Sequence, residues 1–133
     1  MEISKFRIES QRITNVIFET NKKFKQNEKP LEYVFNTEVR IGKNKDINNK
    51  ALVSLKFQVF NQEESEDIPY FLENIIEGIF SWEEDVFGEE EIDKLLSINA
   101  PAVLLSYIRT NTSLLTVAAG FDPLVIPLMN FTK

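Results

Sequence analysis

Hydrophobic and polar residues alternate along three stretches of this chain and then give way to a tract that is apolar almost throughout. Lys5 to Glu19 reads as a long strand in two parts: Phe6 and Ile8 alternate with charges, a polar middle follows, and Val16 and Phe18 resume the same parity. The interruption predicts a bend or bulge near Thr14 and Asn15. Asn21 to Pro30 is a polar, lysine-rich loop anchored by Phe24 and closed by Pro30. Tyr33 to Ile41 puts Tyr33, Phe35, Val39 and Ile41 on one face, and Val53, Leu55, Phe57 and Val59 line one face of the next strand. Turns are expected at Gly42 to Asn49 and at Asn61 to Asp67. Alternation this clean predicts an antiparallel sheet with one dry face.

Tyr70 to Phe80 carries apolar residues on both parities, so it reads as a fourth strand that is central or covered on both sides. Ser81 to Gly88 is an acidic loop carrying Trp82 and Phe87. Glu89 to Ser97 is expected as a short helix presenting Ile92, Leu95 and Leu96, with acids in its first turn where the helix dipole favours them. Ile98 to Phe131 contains only two charged residues, Arg109 and Asp122. Asn99 as N-cap, Pro101 in the first turn and Gly120 as the stop predict a helix of roughly 20 residues there.

Within that helix Leu104, Ile108, Leu115 and Ala119 follow one stripe near helical spacing, and Val103, Tyr107, Leu114 and Val117 follow a second beside it. An apolar arc this wide packs a sheet with one side and something else with the other. In a small protein a second copy is the simplest partner. Leu104, Leu105, Ile108 and Leu115 are the residues expected at that contact. A membrane span fails on the polar run Thr110, Asn111, Thr112, Ser113 beside Arg109, so no direct membrane insertion is expected. Strands followed by helices give an α+β class: a four-stranded antiparallel sheet with helices packed on one face, as a single domain over residues 1–133.

Composition narrows the chemistry. With no cysteine and no histidine among 133 residues, thiolate chemistry, the commonest general base and the commonest transition-metal ligand are all missing. No catalytic constellation, P-loop or Gly-rich dinucleotide turn is present, so no enzyme activity, cofactor or metal is expected. A twelve-residue calcium loop over Glu83 to Lys94 fails, because Phe87 falls at a ligand place and Lys94 stands where the bidentate acid belongs. Net charge is −6, yet Gln62 to Asp93 holds 13 acids and no base, a block that repels nucleic acid and suits either a solvated face or a basic partner. The first 20 residues contain no apolar leader, which makes the cytoplasm the expected location and the sequons at Asn111 and Asn130 chance matches. The 11 phenylalanines, with Trp82 and three tyrosines, exceed what one small core hides, and the surplus is expected to serve subunit contacts, an apolar groove, or both.

The order of elements, with FRIESQRI opening the chain, NTEVRI in the second strand, FLENIIEGIF in the fourth, NAPAVLLSYIR on the helix and PLVIPLMNF at the close, resembles the SecB protein-export chaperone family. The likeness covers nearly the whole chain. It implies a homotetramer, a dimer of dimers, whose subunits hold nonnative polypeptides in apolar grooves without ATP. By the same resemblance Phe35, Val39 and Ile41 line the client groove, and Glu19 and Glu73, with Phe71 beside the latter, contact the SecA motor. Export members continue past the closing Asn-Phe into a further helix and tail that this sequence does not contain. Relatives outside the export pathway include chaperones of toxin–antitoxin systems. The expected partner besides clients is therefore SecA or an antitoxin, and a ligand-binding or structural oligomer on the same scaffold is the reading from a different class.

Overall fold

The computed structural model describes residues 5–43, 49–63 and 65–131. Strands β1 (Phe6–Thr20), β2 (Phe35–Lys43), β3 (Lys50–Val59) and β4 (Tyr70–Trp82) form one antiparallel sheet in the order β1-β4-β3-β2. β4 is interior, as its two-sided apolar pattern requires: Leu72, Ile76 and Phe80 are fully buried on one face, and Phe71 and Ser81 are buried on the other. β1 and β2 are consecutive in sequence yet lie on opposite edges. The connection from Asn21 to Val34 therefore crosses the end of the sheet, past β4 and β3, a span of roughly 14 Å at the usual strand spacing. The β2–β3 turn expected at Gly42 to Asn49 lies, for residues 44–48, outside the described residues.

The unusual parity of β1 has a simple geometric origin. Its register against β4 shifts twice, between Ile8 and Ser10 and again between Ile13 and Asn15. One bulge inserts a residue and turns every later side chain to the other face; a second restores the first arrangement. Phe6 and Ile8 oppose Trp82 and Phe80, Ile13 opposes Ile76, and Val16 and Phe18 oppose Asn74 and Leu72, all on the face toward the helices. The expected interruption near Thr14 is present, and a second one at Glu9 was not read from the sequence.

The helical layer differs from expectation at its start. Glu89 to Ala118 is one continuous helical run: α1 (Glu89–Lys94), a π-helical turn (Leu95–Asn99) and α2 (Ala100–Ala118). Asn99 is helical, with φ −76° and ψ −43°, and makes no capping hydrogen bond, so it is not the N-cap. Pro101 lacks the N–H that would bond back to Ser97, and its ring crowds that carbonyl; widening the preceding turn, where Ala100 N–H donates to Leu95 O, relieves both problems without ending the helix. The run begins instead after Gly88, with Glu89, Glu90 and Glu91 at the positive end of its dipole. Its end is as expected. Gly120 takes φ +91°, its N–H donates to Val117 O at 3.0 Å, and Phe121 N–H donates to Thr116 O at 2.9 Å, the paired bonds of a Schellman stop. Residues 121–131 then run extended, carrying buried Leu124 and Ile126.

α2 lies over β3 and β4, and the closest approach falls at Gly78. A Cβ there would come within 2.9 Å of Leu104 Cδ2 and of Phe80 Cε2, and within 3.3 Å of Ile8 Cδ1. Gly78→Ala is expected to destabilise the fold by about 1–3 kcal/mol through overpacking, read as a lowered urea midpoint at unchanged slope.

Candidate functional site

Because the β1–β2 connection must cross the sheet end, its side chains and the end of the sheet enclose a groove. Asn21 pins the near side: its Nδ2 donates to Ser65 O and Ile68 O, each at 2.7 Å, and its N–H donates to Pro69 O at 2.9 Å. Lys25 continues the attachment, N–H to Glu66 O at 2.9 Å and Nζ to the Glu66 carboxylate at 3.3 Å. On the far side Phe60 N–H donates to Val34 O at 2.7 Å, which carries the β2–β3 pairing one step beyond the strands. Phe60 does so with φ +62°, a left-handed backbone that bulky residues seldom adopt and that the surrounding contacts must hold in place.

The groove has a volume of about 1270 Å³, and Phe24, Pro30, Tyr33, Val34, Phe60 and Phe121 form much of its wall. Its aromatic side is continuous. Tyr33 packs on Phe60 at 5.3 Å between ring centroids, Phe60 meets Tyr70 edge-on at 5.2 Å, and Tyr70 packs against Phe121 at 5.0 Å and Phe18 at 4.9 Å. Burial, and secondarily the neighbouring Tyr33, pushes the Tyr70 phenol well above its ordinary pKa of 10. Leu31, Tyr33 and Val34 leave 37%, 42% and 49% of their surface exposed, an apolar rim at the mouth interrupted by Glu32.

The residues expected from the sequence fall into three places. Phe35 and Val39 are half-buried and Ile41 is 40% exposed, all on the helix-side face of edge strand β2. Phe35 reaches the groove through Tyr33, 6.1 Å away with near-parallel rings, while Val39 and Ile41 lead off along the edge. Glu19, Phe71 and Glu73 come together on the opposite, open face, where Glu19 opposes Phe71 and Glu73 opposes Ile17. Glu19 is exposed, but Glu73 is 8% exposed and is tied down by Asn15 Nδ2 at 2.6 Å, Gln58 Nε2 at 2.8 Å and Lys56 Nζ at 3.7 Å. Its carboxylate is thus already occupied. On the same face Lys50 donates to Glu9 and holds that carboxyl below its usual range.

The contact between copies requires a correction. Leu104, Leu105 and Ile108 are fully buried within the subunit and Leu115 is half-buried, so these side chains are consumed by the subunit's own interior. It is the second stripe that stays open: Val103, Tyr107, Leu114 and Val117 are exposed, Leu114 to 66%. The groove-wall residues Phe24, Val34, Phe60 and Phe121 were not singled out for client binding from the sequence. The available signal was the run Tyr33-Val34-Phe35, too apolar on successive positions for a plain alternating strand.

Among the described residues there is no group of three or more potential metal ligands. Among the same residues no helix is long and apolar enough to cross a membrane. Beside its aromatic wall the groove also carries Lys29, Glu32, Asp67 and Asp122.

Comparison with known families decides the kinship. A family model described as preprotein translocase subunit SecB matches residues 2–133. The chain belongs to the SecB family. A protein-export protein SecB of Anaplasma phagocytophilum is 33% identical over 84 residues, 62% of this chain and 53% of that protein. An uncharacterized protein of Methanocaldococcus jannaschii is 29% identical over 103 residues, 75% of this chain and 62% of that one. The chain thus spans about half the length of the SecB-named relatives it matches. Among solved structures it resembles the Mycobacterium tuberculosis Rv1957 SecB-like chaperone in complex with a ChAD peptide from the Rv1956 HigA1 antitoxin, with a TM-score of 0.74 and 16% identity over 94% of this chain and 91% of that one. The fold, a four-stranded antiparallel sheet with the helices on one face, is the SecB fold.

Proposed function

We propose that this protein is an ATP-independent chaperone that captures nonnative polypeptides in the aromatic groove at the Tyr70 end of the sheet. The observation that carries the reading is the groove itself: about 1270 Å³, walled in part by Phe24, Tyr33, Phe60 and Phe121 and rimmed by exposed Leu31, Tyr33 and Val34. A client stretch burying about 400 Å² of apolar surface gains roughly 10 kcal/mol gross at ~25 cal/mol per Å². Association and ordering offset much of that gain. The result is reversible capture with little sequence preference, and edge strand β2 offers main-chain hydrogen bonds to a client running past Phe35, Val39 and Ile41.

Family membership supports a chaperone role, and a related fold that holds an antitoxin peptide supports an extended polypeptide as the ligand. The assembly proposed is a cytoplasmic homotetramer, a dimer of dimers, sealed in part by Val103, Tyr107, Leu114 and Val117, so that several weak grooves hold one client. Glu19 and Phe71 form the proposed contact for SecA if the client is destined for export. An antitoxin is the proposed client if it is not.

At one subunit per client, without nucleotide, the protein is expected to suppress aggregation of a chemically unfolded model protein, followed by light scattering. Unchanged scattering at tenfold excess would sink the chaperone reading and leave a closed structural or small-ligand role.

A further inference from the structure

Helix geometry shows that α2 buries more of its circumference than the sheet can cover. At 100° per residue, Asn111 and Leu115 lie within ~20° of Leu104, the residue seated on Gly78, and point the same way. Asn111 does reach the sheet, where its Nδ2 donates to Asn74 Oδ1 at 3.0 Å. Leu105, Thr112 and Thr116 lie ~80–120° around the helix from Leu104, on its flank. Yet these three are 2%, 0% and 0% exposed.

Their cover is the extended segment after Gly120. Leu124 N–H donates to Thr116 Oγ1 at 3.0 Å, and Arg109 Nη2 donates to Pro127 O at 3.0 Å, so the segment doubles back along the helix, moving from Thr116 toward Arg109. It binds as an added strand would, with alternate side chains in and out: Leu124 is 3% exposed, Val125 82%, Ile126 5%. The hydroxyls of Thr112 and Thr116 turn back onto helix carbonyls, at 2.9 Å to Ile108 O and Thr112 O respectively. With those protons spent inside the helix, the flank meets the segment through its apolar groups and through Thr116 Oγ1, which accepts from Leu124 N–H.

The strap also begins inside the groove. Gly120, Phe121 and Asp122 belong to the groove wall, and the buried pair Leu124 and Ile126 follows directly. The flank of α2 is thus a prolongation of the groove that the chain itself fills.

We infer that this flank, lined by Leu105, Thr112 and Thr116, is a second binding surface for an extended aliphatic-x-aliphatic segment of a client, and that residues 121–131 are its tethered occupant. The inference rests on the capture reading above and adds to it. A client entering past Phe121 competes with Leu124 and Ile126 for the same trough, against an occupant whose tether gives it an effective concentration on the order of millimolar. Short clients use the aromatic groove alone; longer ones with Leu, Ile or Val at alternate positions displace the strap.

The chain contains no cysteine, so a single engineered pair locks the strap without competition from native thiols. The bond between Leu124 N and Thr116 Oγ1 brings the strap against the helix at these two residues and selects them for the pair. In Thr116→Cys/Leu124→Cys, affinity for a fluorescent unfolded client about 30 residues long, rich in alternating aliphatics, is expected to be at least about fivefold weaker oxidised than reduced. A short aromatic peptide should bind both forms alike. Equal long-client affinity in the two redox states overturns the inference and leaves the groove reading standing. If neither client binds in either state, the capture reading fails and takes the inference with it. Should the pair impair folding, the synthetic segment FDPLVIPLMNF added to the unaltered protein serves instead: it should displace the long client, and failure to displace it at millimolar concentration overturns the proposal.

Discussion

Leu104→Asp is expected to abolish the folded subunit, giving a chain without a cooperative thermal transition by circular dichroism. Leu104 is 0% exposed, and its Cδ2 sits where Gly78 leaves room for it between Phe80 and Ile8. Deleting a buried leucine side chain costs about 2–5 kcal/mol. Burying an unpaired carboxylate there, or protonating it to avoid that, adds several kcal/mol more. The sum rivals the whole stability of a domain this size, typically about 5–15 kcal/mol. The companion variant Leu114→Asp, at a position 66% exposed, should leave the subunit folded and lower its mass by sedimentation if the outer stripe joins copies. A folded Leu104→Asp protein would mean that α2 does not pack on the sheet as described.

The second large effect belongs to the groove. Tyr33→Ser/Val34→Ser removes the two most exposed apolar side chains of the rim, which are 42% and 49% accessible, while Phe60, Tyr70 and Phe121 keep the wall intact. Client affinity is expected to fall about tenfold, equivalent to about 1.4 kcal/mol, which is modest for an aromatic anchor at a binding surface. Stability should move by under about 1 kcal/mol, since both side chains are half in water. Anisotropy of a labelled unfolded client measures the first and urea unfolding the second. Native-like affinity in a folded double variant would place client capture elsewhere on the surface.

How much of this was legible from the chain depends on which physical signal each part leaves. Alternation at Val53 to Val59 and the two-sided pattern of Tyr70 to Phe80 stated their own roles, because a strand's faces differ by one residue and burial enforces the difference. The helix stop at Gly120 was equally plain, since only a residue free to take φ +91° ends a helix that way. The helix start was misread because Asn99-Ala100-Pro101 has the composition of a cap, and only packing of Leu96, Ala100 and Leu104 in one buried line keeps the backbone helical through it. The same limit hid which stripe of α2 faces inward. Both stripes are apolar, and the choice is made across the fold by Gly78 and by the returning strap. The groove was least visible of all, because its wall comes from a loop, a strand end and a helix exit, about 100 positions apart in sequence at the extremes, Phe24 and Phe121. Glu73 is expected only by resemblance, as a SecA contact, and its burial comes from Asn15, Gln58 and Lys56 meeting it on neighbouring strands, which no local pattern announces.

The paired bulges of β1 also bear on how this sequence can change over generations. They divide an outer strand of 15 residues into runs of unbroken pairing, Phe6–Ile8, Ser10–Ile13 and Asn15–Thr20, too short to template a growing ribbon of neighbours. Loss of the codon for Thr14 or for Glu9 would remove one extra residue and leave the pairing beyond it as it is, Val16 opposite Asn74 and Phe18 opposite Leu72, whereas a loss within one of the three runs has no such outlet and turns side chains to the wrong face. Length variation in this strand is therefore heritable mainly at its two bulges.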